Sequence, residues 1–162
     1  MSTHADDHSR EPGWPPAPLA GRLGFLLKHA QLLLAELSGA ALAPYGINGR
    51  HLAVLSVLAG GELLSQQEAA RRLAIDRTTM VALIDELERK QIVARHPHPG
   101  DRRKNVVDLT AEGRVLYDKA GRASEDAERR FLAPLDDAAA QRLREALHRV
   151  ITAAPPEPPA YT

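Results

Sequence analysis

The chain has 162 residues, 44% of them apolar but only 4% aromatic, with no cysteine and 21 basic against 21 acidic side chains. This length supports one domain with a sizeable core built from Leu, Ala, Val and Ile. The absence of cysteine excludes disulfides and thiol-based sensing, and fits a cytoplasmic protein. No run of 18 apolar residues offers a membrane span, and the N-terminus has no apolar signal core. Residues 1–18 hold four prolines and the acidic pair Asp6-Asp7, which implies a disordered arm. Its one large apolar residue, Trp14, is either an exposed or loosely docked indole or docks on a second subunit. Leu19, Leu23, Leu26, Leu27, Ala30, Leu33, Leu34, Leu37 and Ala41 recur at helical spacing, predicting a helix over 19–42 that stops before Pro44. A connection to residue 47 follows.

Asn48 is placed to cap a second helix with Leu52, Leu55 and Leu58 inward, ended by Gly60-Gly61. Ser65 and Glu68 form a Ser-x-x-Glu capping box for a short third helix. The turn Ala74-Ile75-Asp76 leads to a fourth, capped by Asp76, with Met80, Leu83, Ile84 and Leu87 on its inner face. Two short helices so joined form a helix-turn-helix. Residues 92–96 and 106–109 are β-prone and predict a hairpin, with Pro99-Gly100 suited to a type II turn. Its tip carries Arg102, Arg103 and Lys104, a cluster that suits a phosphate-covered partner. From Arg89 to Lys104 six cations face one acid, Asp101, so a local basic patch sits on a neutral molecule. Thr110 caps a further helix, with Leu116, Ala120, Ala123, Ala127 and Phe131 as its stripe. A last helix is expected over about 136–153, and a proline-rich, disordered tail over 154–162. The expected architecture is mainly α with a small β-hairpin wing: a winged helix-turn-helix over 48–110, flanked by helices over 19–47 and 111–153.

The residues from Leu73 to Leu116 resemble the MarR family of bacterial transcription regulators. Asp85 and Leu87, Ile92-Val93-Ala94-Arg95, the tip Asp101-Arg102-Arg103 and then Val107-x-Leu109-Thr110-x-x-Gly113 carry the resemblance. It implies that the terminal helices of two chains interlock into a dimerisation region; the periodicity alone also allows an intramolecular bundle. At Ala82, where the family often has arginine, this chain departs from the pattern.

The fourth helix would enter the major groove with Arg77, Thr78, Thr79, Val81 and Ala82 on its outward side. Arg77 suits either guanine or phosphate. Gln66, Gln67 and Arg71 are expected on backbone phosphates, and Arg95, His98, Arg102, Arg103 and Lys104 along the wing. Asp101 and Asp85 are expected to hold wing arginines in place, the latter as the resemblance suggests. His96 and His98 with Asp101 could be half a metal site, but a polar loop explains them as well, and no metal or cofactor is expected.

Arg22 and His29 share a face of the first helix, and Tyr45 and His51 follow. Together they suit a small aromatic acid in a crevice, the kind of ligand that MarR-like regulators often bind; a salt bridge and packed histidines are the other reading. No motif for catalysis is present. The expected function is therefore a homodimeric, non-enzymatic repressor, released from a pseudo-palindromic double-stranded DNA operator by a small anionic aromatic ligand. The alternatives are a ligand-independent regulator or activator, a dimeric interaction module that does not bind DNA, and a small enzyme using the histidine–arginine crevice.

Overall fold

The computed structural model describes residues 14–153, except for the side chains of residues 102–104. The elements run α1 (Leu23–Leu42), a 3-10 turn (Ala43–Tyr45), α2 (Gly49–Leu58), α3 (Gln66–Arg72), α4 (Arg77–Arg89), β1 (Val93–His98), β2 (Asp101–Leu109), α5 (Ala111–Leu132) and α6 (Asp137–Thr152). This is a mainly helical winged-helix fold with one antiparallel hairpin. The expected arm and tail fall largely outside the described residues.

Side-chain oxygens start five of the helices. Asn48 accepts from the amides of Arg50 and His51, Ser65 from Glu68, Asp76 from Thr79, Thr110 from Gly113 and Asp136 from Ala139. Each satisfies orphan amides of a first turn and contributes about 1 kcal/mol. The first helix begins at Leu23 rather than residue 19, because residues 17–21 form a turn and Arg22 at its N-cap offers no capping side chain.

α3 and α4 both end on left-handed residues that are not glycine, Ala74 (φ 51°) and Gln91 (φ 59°). In each, paired amide-to-carbonyl bonds close a Schellman motif. Ile75 donates to Ala70 and Ala74 to Arg71, while Ile92 donates to Leu87 and Gln91 to Glu88. The first of these motifs makes the turn of the helix-turn-helix; the second turns the chain from α4 into the wing.

β1 and β2 pair from Val93↔Leu109 to Pro97↔Asn105, then slip so that His98 faces Asp101. Residues 102–104 fall in that irregularity. The expected type II turn does not form, because Gly100 lacks the left-handed φ that such a turn requires. Instead the Gly100 amide donates to His98 Nδ1 at 3.0 Å. At the other end of the hairpin, the Val107 amide donates to Leu64 O at 2.9 Å, tying the segment before α3 to the wing.

The core gathers Val54, Leu55, Met80, Ile84, Leu87, Val93 and Leu42, all almost completely buried. It lies inside the winged helix and is closed by the end of α1. α1 packs chiefly along α5. The outward face of α1 leaves Leu23, Leu26, Leu27, Leu32 and Leu33 exposed, and α6 leaves Leu143, Leu147, Val150 and Ile151 exposed.

Thr110 and Gly113 fix the root of α5 against the wing. The Thr110 amide donates to Ile92 O at 3.0 Å, and its hydroxyl donates to Gln91 O at 2.7 Å. A Cβ on Gly113 would lie 1.9 Å from Ile92 O. Because that neighbour is backbone, no rotamer change relieves the clash. Gly113→Ala is therefore expected to destabilise the fold by about 1–3 kcal/mol, as overpacking does. Thermal unfolding checks this, and an unchanged melting temperature would contradict the packing described.

Candidate nucleic-acid interface

The outward side of α4 presents Arg77, Thr78, Val81, Ala82 and Asp85 to solvent. Arg77 stands at the first position of the helix and makes no ion pair or side-chain hydrogen bond among the described residues. Thr79 differs from this expectation. Its amide donates to Asp76 Oδ1 at 2.9 Å and its hydroxyl to Asp76 Oδ2 at 2.5 Å, so it belongs to the helix cap rather than the reading face. These bonds hold the Asp76 carboxyl below its ordinary range, the Thr79 hydroxyl contributing most. On α3, Gln67 and Arg71 are exposed beside this face and Gln66 is half-buried.

Arg95 is also corrected. Its guanidinium makes ion pairs with both Asp85 and Glu88 of α4, and its Nε donates to Gln66 Oε1 at 3.4 Å. Its backbone amide donates to Glu88 Oε1 at 3.3 Å. Two carboxylates neutralise this cation, so Arg95 braces the wing against α3 and α4 instead of offering charge to a phosphate. Asp85 thus holds a wing arginine, and Glu88 is a partner that sequence reasoning missed; its seven-residue separation from Arg95 was the available signal. The side chains of Arg102, Arg103 and Lys104 lie outside those described. Asp101 is half-buried at the start of β2. His98 is half-buried at the end of β1, and among the described residues no three metal-binding side chains cluster.

The four residues assigned to an aromatic-acid crevice are not brought together. His29 packs with Phe25 (centroids 4.2 Å apart) and Trp14 (5.3 Å). Trp14 therefore docks on α1 of its own chain. Arg22 is exposed at the N-cap of α1. His51 is 2% exposed within the winged-helix core, out of reach of a ligand. Its Nδ1 accepts from the Asn48 amide at 3.3 Å, which leaves the proton of the neutral ring on Nε2. Nε2 lies 3.2 Å from Glu86 Oε2, but off the line of a hydrogen bond, so their attraction is electrostatic.

Of the four, Tyr45 lines a cleft beside α5. This open cleft of about 560 Å³ is walled by Pro44, Tyr45, Ala111, Val115 and Leu116, with Glu112 and Lys119 at its edge. Lys119 makes no ion pair among the described residues. The cleft lies between the α1–α2 connection and the first turns of α5. Nothing in the sequence periodicity could have indicated it, because its two walls lie some 70 residues apart in the chain.

Burial pushes the His51 pKa below 6.5, against the opposing pull of Glu86. Above pH 6.5 the ring is neutral in both folded and unfolded chains. Below it the unfolded chain takes up a proton that the folded chain resists, so stability falls as pH drops through the lowered value. The melting temperature should therefore fall between pH 6.5 and 5, and fall less steeply in His51→Gln. Parallel slopes would remove His51 as the cause.

Comparison with known proteins agrees with this geometry. The family model described as "MarR family" matches residues 45–104. The homoprotocatechuate degradative operon repressor of Escherichia coli is 29% identical over 98 residues, 60% of this chain and 66% of that protein. The crystal structure of CouR from Rhodococcus jostii RHA1 bound to p-coumaroyl-CoA superposes with a TM-score of 0.74 at 29% identity, covering 84% of this chain and 96% of that one. CouR bound to a 23-mer DNA duplex superposes with a TM-score of 0.78 at 29% identity, covering 83% and 96%. The winged helix described above matches the MarR family over residues 45–104, and the chain is similar to DNA-binding transcriptional regulators of that family.

Proposed function

We propose that the chain is a homodimeric repressor, released from a pseudo-palindromic operator by a small anionic aromatic ligand. The observation that carries the reading is the brace at Arg95. It holds the wing at a fixed angle to the exposed face of α4, so that helix and hairpin can meet neighbouring parts of one duplex. Arg77, Thr78, Val81 and Ala82 then face the base edges, with Gln67 and Arg71 on backbone phosphates and Arg102, Arg103 and Lys104 on phosphate or the flanking minor groove. That CouR binds a 23-mer duplex supports the same use of this fold.

The dimer reading rests on the apolar faces of α1 and α6. Val150 is 73% and Ile151 77% exposed, and α6 packs on no other element beyond glancing contact and the Arg144–Glu128 ion pair at 3.7 Å. A helix with an apolar stripe is stabilised chiefly by burying it. A symmetric second copy supplies that partner.

The ligand reading moves from Arg22, His29 and His51 to the cleft beside Tyr45. An aromatic ring fits between Tyr45, Val115 and Leu116, and the Lys119 ammonium is available for a carboxylate or other anion. CouR, which binds p-coumaroyl-CoA, supports an aromatic acid or its thioester as the ligand class. Release follows if the bound ligand favours a spacing of the two recognition helices that no longer matches successive major grooves.

Arg102→Ala with Arg103→Ala should weaken binding to all duplexes, each lost phosphate contact removing about 0.9 from the log–log salt slope. An unaltered slope would mean that the wing does not touch phosphate. Arg77→Ala should reduce the preference for operator over random DNA by about 1–3 kcal/mol if its contact is bidentate to guanine. Equal losses on both DNAs would make it a backbone contact. Removing residues 136–162 should leave an aggregating or unfolded chain, because an obligate dimer often has no stable monomer. A soluble, folded monomer by light scattering and circular dichroism would contradict the dimer.

A further inference from the structure

The C-terminal half of α4 is tied to the α1–α2 connection by a compact set of polar contacts that DNA binding does not use. Lys90 Nζ donates to Gly46 O at 2.6 Å and contacts Glu86 Oε1 at 2.7 Å. Glu86 Oε2 in turn faces His51 Nε2, and His51 Nδ1 takes the Asn48 amide. The Lys90 ammonium, with Glu86 as its carboxylate partner, thus holds Gly46 O across 44 residues of sequence.

Gly46 follows Tyr45, the wall of the cleft, and its left-handed backbone (φ 65°) ends the 3-10 turn that carries Pro44 and Tyr45. Proline fixes its own φ, so Pro44 leaves this short turn little freedom before Gly46. Rotation at Gly46, the Cβ-free residue that directly follows Tyr45, offers a way to accommodate an occupant that displaces Tyr45. That rotation swings the carbonyl held by Lys90. The carbonyl held by Lys90, the C-cap residue of the recognition helix, therefore lies one residue from the cleft wall at Tyr45.

We propose that Lys90, supported by Glu86, is a positioning residue that couples the state of the Tyr45 cleft to the orientation of α4 on DNA. The inference rests on reading that cleft as the effector site. Both side chains are partly exposed, so the bonds contribute little to overall stability while fixing a direction. The coupling is reciprocal: operator binding that fixes α4 also fixes the wall of the cleft.

A double-mutant cycle tests this without an identified ligand. Val115 is 54% exposed at the cleft wall, so Val115→Trp fills the cleft from outside the core and stands in for an occupant. Affinity is measured by fluorescence anisotropy on a duplex selected from a random library by the wild-type protein. Val115→Trp should weaken binding by about fivefold or more in the wild-type background, the low end of allosteric couplings. In the Lys90→Met background the same substitution should weaken binding by less than about twofold, which is the signature of interacting sites in such a cycle. Lys90→Arg, which can still donate to Gly46 O, should restore the larger effect. Melting temperatures of all variants serve as the control, and Val115→Phe replaces Val115→Trp if the tryptophan variant does not fold. An equal loss in the wild-type and Lys90→Met backgrounds overturns the link and leaves the cleft reading standing. No loss in the wild-type background overturns the cleft reading and the link with it.

Discussion

The backbone of Ile92 is the point on which the rest of the structure depends. Its amide closes the end of the recognition helix on Leu87 O at 2.9 Å, and its carbonyl receives the Thr110 amide at 3.0 Å. The backbone of Gly113 lies against the same carbonyl. The backbone of one residue therefore joins the end of α4, the roots of both strands of the wing and the first turn of α5. Buried backbone groups must be paired, and here the pairing itself fixes three elements relative to one another. A rigid junction of this kind lets a change in the packing of α5 reach the recognition helix and wing as one unit. A set of independent loops would absorb it.

Electrostatics explains how a chain of zero formal net charge serves a DNA-binding fold. The cation nearest the body of the wing, Arg95, is neutralised by Asp85 and Glu88. Lys90 is likewise engaged by Glu86. Arg77 at the start of α4 and Arg71 on α3 carry positive charge on the side proposed to face DNA, and the tip sequence adds Arg102, Arg103 and Lys104. Such a distribution limits non-specific attraction while keeping a defined footprint. The acids that seem misplaced beside DNA serve geometry: they set the angle at which the wing leaves α4.

Local rules made most of the fold legible. Ser65-x-x-Glu68, Asn48, Asp76 and Thr110 mark helix starts by chemistry confined to one turn, and all four cap as their sequence implies. The β-prone runs 92–96 and 106–109 around a basic tip identified the wing, and the residues from Asp101 to Gly113 added the family resemblance. What sequence reasoning missed depends partly on competing side-chain bonds within a turn and partly on contacts distant in sequence. Thr79 looked like a groove residue because the competing bond to Asp76 is as local as the helix position itself. His51 looked available because its burial against Glu86 involves a helix 35 residues later. The hairpin tip departed from a type II turn because the His98 ring satisfies the Gly100 amide, a side-chain contribution that φ preferences do not encode. The cleft at Tyr45 arises only when α5 returns against the α1–α2 connection.

The central claim is that α4 and the braced wing form a single DNA-facing surface while the terminal helices face a second copy of the chain. Amide hydrogen exchange of the protein, free and bound to a selected operator duplex, tests it most directly. The account predicts that DNA slows exchange in residues 66–82 and 95–105 and leaves α6 at the protection it already has in the free dimer. Slowing confined to α6 and the outer face of α1, with α4 and the wing unchanged, would contradict it.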